Sequence, residues 1–214
     1  LDLRASGRRP EGLPMAPEVG SESRDARFAD ALGLADTMPL VFSIRDNLAT
    51  LIDALGATDR EAHLADGLAH WWRTFFDPAY LAHDEALPGA ADAVARLVAA
   101  GATIVYLTAR PGALAAATTA RLRELGFPAA AAGAVLVTKT DPREGDHAFK
   151  VRALAWCARI GEVVLCAENE PSHANEMHRA FPEALTVLVE TRHSLPAPPL
   201  EPGVVRVASL TDAL

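Results

Sequence analysis

The residues of this chain best suited to chemistry stand at the ends of its apolar runs. Residues 102–110, ATIVYLTAR, form a β-rich run closing on Thr108, then Ala109, Arg110, Pro111 and Gly112. A strand that stops at a hydroxyl before a Pro-Gly break presents that hydroxyl and the next backbone N–H groups at a sheet edge. Open α/β folds bind anions there. The competing reading of Thr108 is local: it caps the following helix or satisfies loop backbone groups. Seven histidines are present, and none has a spacing that argues for catalysis. His63 and His70 are seven apart, on one expected helical face, but two ligands do not make a metal site. Cys157 and Cys166 lack CxxC spacing and read as buried free thiols of a reducing compartment.

The elements that must position these groups are legible from periodicity and punctuation. The 214 residues suit one domain, or a core domain with a small insertion, and half of them are hydrophobic, enough for a buried core. Lys and Arg total 20 against 28 Asp and Glu, a net charge of −8, with no basic stripe. Nucleic acid and anionic membranes are therefore excluded as expected partners. No apolar run reaches the roughly 18 residues of a membrane span, and a cytoplasmic protein is expected.

Residues 1–27, rich in Arg, Gly, Pro, Glu and Ser, read as an extended or partly disordered arm, and 28–214 as the folded core. Phe28–Leu34 suggests a short helical turn, and Met38–Ile44, MPLVFSI, a buried parallel strand. Residues 47–83 have helical spacing through Leu48, Leu51, Ile52, Leu64, Leu68 and Trp71, broken at Asp77-Pro78. This predicts a small helical cap insertion at about 47–85 whose aromatic stripe is core. Beyond it the spacing predicts helix 88–100, strand 103–107, helix 112–125, strand 135–138, helix 147–160, strand 163–167, helix 172–180 and strands 185–189 and 204–207. Such alternation predicts an α/β fold with a mostly parallel, doubly wound sheet. Pro196, Pro198, Pro199 and Pro202 mark an extended crossing segment.

Four segments recur in an order that carries more weight than any one of them. They are VFSIRDNL (Val41–Leu48), VYLTARP (Val105–Pro111), HAFKVRAL (His147–Leu154) and VVLCAENEP (Val163–Pro171). Across residues 38–191 the chain resembles the haloacid-dehalogenase-like (HAD) phosphohydrolase superfamily. The resemblance implies a Rossmannoid core with a cap, and phosphate binding by Thr108, Ala109, Arg110 and Lys150. It also implies Mg²⁺ binding through Glu168, with Asn169 and Glu170 beside it. The family's first motif is Asp-x-Asp, a nucleophile followed by a general acid/base, and here Ser43 and Arg45 stand in those places.

These two substitutions change the chemistry that the resemblance implies. Ser43 needs an adjacent base to become a nucleophile and removes a metal ligand. A guanidinium stays charged in proteins, so Arg45 serves as neither acid nor base. Losing two carboxylates and gaining one guanidinium makes the pocket three charge units more positive where a divalent cation would sit, so Mg²⁺ binding is expected to be weak or absent. Arg45, Lys150 and the Thr108 hydroxyl would instead hold a phosphate or carboxylate directly. The leading expectation is a binding or regulatory pseudoenzyme for a small phosphorylated or anionic metabolite. The alternative is an active phosphatase with a displaced nucleophile, either Asp46 or a Ser43 activated by His147 or His173. A third reading is another reaction class using Arg45 and Lys150 as electrostatic clamps. Two bland readings stand beside these: Arg45 pairs internally with Glu168, and Lys150 is a solvated helix-start lysine.

Overall fold

The computed structural model describes residues 4–5, 44–74, 76–129, 133–191, 193 and 196–214. They divide into two compact units, one within Arg4–Glu85 and one formed by Ala86–Thr191 with Ala197–Leu214.

The first unit is helical. Helix α1 spans Ile44–Ala54 and α2 spans Arg60–Thr74. Leu48, Ala49 and Ile52 recur at helical spacing and are buried against Leu64 of α2, with Leu68 packed alongside. Trp71 is buried and meets Phe76 edge-on at 6.2 Å. Asp77 ends this stretch by accepting from the Ala79 N–H at 2.9 Å, opening a 3₁₀ helix over Pro78–His83. Strand β1 (Arg4–Ala5) pairs antiparallel with β2 (Asp84–Glu85).

The expected strand Met38–Ile44 is corrected at its end, because Ile44 is the first residue of α1. A short apolar run does not by itself distinguish strand from helix, and the periodic Leu48–Ile52 face claims Ile44 for the helix. Residues 38–43, including Ser43, and the expected turn Phe28–Leu34 lie outside the described residues.

The second unit is mixed α/β with parallel strands. In chain order it holds α3 (Ala90–Ala99), β3 (Ile104–Pro111), α4 (Ala115–Glu124) and β4 (Ala134–Lys139). Next come α5 (Asp146–Ile160), β5 (Leu165–Glu168), α6 (Pro171–Ala180), β6 (Leu185–Val189) and β7 (Val204–Val207). Strands β3 and β4 pair in parallel, and β5, β6 and β7 form a second parallel ladder in that order. Among the described residues the strands thus make two ladders where the sequence reading expects one sheet. No pairing joins β3 to β5.

Strand alternation puts the two faces of these ladders into two cores. Ile104, Tyr106, Leu165, Ala167, Val187 and Val189 pack with Ala93 and Val94 of α3 and Leu122 of α4. Leu107 and Cys166, one residue out of phase, pack with Leu154 of α5 and Met177 of α6. Strands covered on both faces read as continuous apolar runs, which is why the sequence shows them as VYL and VLV rather than as alternating patterns.

Candidate functional site

Strand β3 does not stop at Thr108 as its sequence suggests. It runs on to Pro111 through a bulge: Leu107 lies opposite Val137 and Pro111 opposite Lys139, so three residues face the single Thr138. Bulges re-aim side chains and free backbone groups from the ladder. Here the bulge spans Thr108, Ala109 and Arg110. The Thr108 hydroxyl accepts from the Arg110 N–H at 3.4 Å, so it stays inside the bulge and does not cap the next helix. Gly112 then lets the chain pass close to β4, where a Cβ would lie 3.2 Å from the Lys139 carbonyl oxygen.

Lys150 and Glu168 meet. Glu168 is the last residue of β5, and Lys150 stands one turn into α5 rather than at its start. Their side chains are 11% and 12% exposed, with Nζ 2.9 Å from Oε2. His173, in the first turn of α6, completes the cluster with 13% exposure. Its Nδ1 is 2.5 Å from the same Nζ and 4.0 Å from Oε2. The other carboxylate oxygen of Glu168, Oε1, accepts from the backbone N–H groups of Asn169 at 2.9 Å and Glu170 at 3.3 Å. Lys150 is therefore not a solvated lysine, and the cation beside Glu168 is Lys150.

The electrostatics follow from this geometry. Burial pushes the Glu168 carboxyl upward, but the Lys150 ammonium, helped by His173, outweighs burial and holds it at about 2. Burial and then the Lys150 ammonium push His173 down to about 4, against the opposing pull of Glu168 and Asp146. An ammonium only donates, so the Nδ1 of neutral His173 accepts from Lys150 and its proton sits on Nε2.

No family model, curated protein or solved structure matches this chain.

The remaining sequence candidates fall into place around this centre. Asn169 and Glu170 are buried, and Pro171 opens α6. Arg45 lies on the exposed first turn of α1 with its Nη2 3.4 Å from Glu61 Oε2, on a helix rather than a strand tip. Asp46 follows it in the same exposed turn, where an acidic side chain suits the helix dipole, and its backbone carbonyl accepts from Thr50 Oγ1 at 2.9 Å. His147 is exposed and 2.5 Å from Glu176 Oε1, at a groove of about 380 Å³ lined by Val151, Leu154 and Phe181. His63 and His70 both lie on α2, and the described residues hold no group of three metal-binding side chains. Cys157 and Cys166 are buried free thiols, and burial raises both, Cys166 to about 11, which leaves them poor nucleophiles at neutral pH.

Two site features escaped the sequence reading. His173 is named there only as a candidate base for Ser43, and its place against Lys150 and Glu168 was missed, although Pro171 opening a helix puts position 173 in the first turn. Lys139, buried at the end of β4, bonds Asp146 in the first turn of α5 and fixes that helix start beside the strand ends.

Proposed function

We propose that this chain is a HAD-like protein that keeps a phosphate-sized anion pocket, lacks aspartyl-phosphate catalysis, and acts as a binding or regulatory pseudoenzyme. Its ligand is a small phosphorylated or anionic metabolite. The observation that carries this reading is the buried Lys150 ammonium at the carboxyl ends of parallel strands, the place where α/β folds bind their ligands. Parallel pairing and helices packed on both strand faces support the finer, doubly wound fold.

Lys150 supplies the positive charge. It donates two N–H groups, to Glu168 and to His173, and the third is left for an anion oxygen. The resemblance implies that Thr108, Ala109 and Arg110, the residues of the bulge, complete the pocket. Glu168 does not fit Mg²⁺: an ammonium stands against one oxygen and two backbone N–H groups against the other, so the ion would have to displace them. Ser43 and Arg45 leave the first motif without carboxylates, so no aspartyl-phosphate forms there.

The test pairs two measurements on the full chain. Hydrolysis of p-nitrophenyl phosphate in excess Mg²⁺ is expected to stay at background, while inorganic phosphate binds in a manner lost in Lys150→Gln. Mg²⁺-dependent turnover that disappears in Glu168→Gln or Asp46→Asn would reject the pseudoenzyme.

A further inference from the structure

Every donor that Glu168 uses is a donor that a phosphate would use. Its Oε2 takes the Lys150 ammonium at 2.9 Å, and its Oε1 takes the Asn169 and Glu170 N–H groups. Charged donors around a carboxylate are the same groups that recognise phosphate oxygens. The void beside Glu168 and Asn169, walled by Leu87, Ala90, Val189 and Leu210, measures about 20 Å³ and holds one water at most, so it offers an anion no second place beside Glu168. His173 also holds Lys150, with its Nδ1 4.0 Å from Glu168 Oε2, and carries no competing negative charge.

We infer that Glu168 is a built-in competitor: its carboxylate occupies the anion site, and an external anion binds by taking Lys150 from it. This rests on the anion-pocket reading above and adds the regulation of that pocket. It also reverses the role that the resemblance implies for Glu168. A metal-binding acid helps its ligand, whereas this carboxylate repels an incoming anion and ties up the cation that would receive it. Anything that draws the Glu168 side chain away, such as a partner's cation, would open the site.

The experiment is calorimetric titration of inorganic phosphate into the wild type, Lys150→Gln, Glu168→Gln and Glu168→Ser, each checked for folding by circular dichroism. Glu168→Gln keeps the shape and removes the charge, and Glu168→Ser covers a failure of the amide variant to fold. The expected result is at least tenfold tighter phosphate binding in the Glu168 variants than in the wild type. Unchanged or weaker binding there, with wild-type binding still dependent on Lys150, overturns the competition and leaves the anion pocket standing. No phosphate binding by any form overturns both. Wild-type protein gives an independent readout: at saturating phosphate the Asn169 and Glu170 amide resonances shift as their acceptor changes, and unmoved resonances overturn the inference.

Discussion

The Lys150 ammonium bonds His173 Nδ1 at 2.5 Å and Glu168 Oε2 at 2.9 Å, with the ring nitrogen and that carboxylate oxygen 4.0 Å apart. A cation shared by an acid and a neutral imidazole suppresses the charge of the ring. The arrangement ties the first turn of α6 to α5 through one buried group.

The suppressed ring makes stability depend on pH. His173 titrates near 6.5 when unfolded and about 4 when folded, so between those values the unfolded chain binds a proton that the native chain does not. Its contribution is complete above about pH 6.5 and is lost as pH falls to about 4. Glu168, held at about 2 against an ordinary 4.5, adds a second loss between those lower values. Urea denaturation of the wild type and His173→Asn from pH 8 to 3 is expected to show the upper slope only in the wild type. The slope below about 4.5 is expected in both.

Removing Lys150 strands a buried carboxylate. Lys150→Ala is expected to cost about 3–5 kcal/mol, the usual penalty for breaking a buried pair from one side. Lys150→Met with Glu168→Leu removes both charges and is expected to recover most of that loss. Chemical denaturation of the two singles and the double measures the coupling.

Asn175 is a structural clamp on the proline-rich crossing. Its Nδ2 donates to the Pro199 carbonyl and its Oδ1 accepts from the Glu201 N–H, both at 2.8 Å. Asn175→Ala is expected to cost about 1–2 kcal/mol, because two part-buried hydrogen bonds to the crossing segment are lost. Hydrogen exchange at the Glu201 amide is expected to accelerate with it.

Gly89 precedes α3 with φ +71, and a Cβ there would lie 2.9 Å from Thr211 Cγ2. Gly89→Ala combines left-handed strain with that contact and is expected to cost about 1–2 kcal/mol. Gly89→Ala with Thr211→Ser is expected to recover the steric part alone in thermal denaturation.

The sequence reading located β6 and β7 at their observed bounds because both are short runs rich in β-branched residues. It missed the extension of β3 to Pro111, since a bulge is set by the partner strand and not by the residues inside it. The start of α1 at Ile44 escaped for a different reason: MPLVFSI is apolar throughout and offers no period to read. At the site, Lys150 and Glu168 could each be picked out by position. Their direct contact could not, because it joins α5 to β5 across 18 residues of sequence. The contact of His173 with Lys150 was hidden by the same distance between sequence and space.

The central claim is that Lys150 receives an anion at these strand ends. The Lys150 Nζ resonance, followed by proton–nitrogen NMR during titration with inorganic phosphate, reads that event at the atom concerned. A saturable shift of this one ammonium signal, obtained with or without Mg²⁺ and weakened in Thr108→Val, is the predicted result. An unmoved Lys150 signal at saturating phosphate would contradict the account.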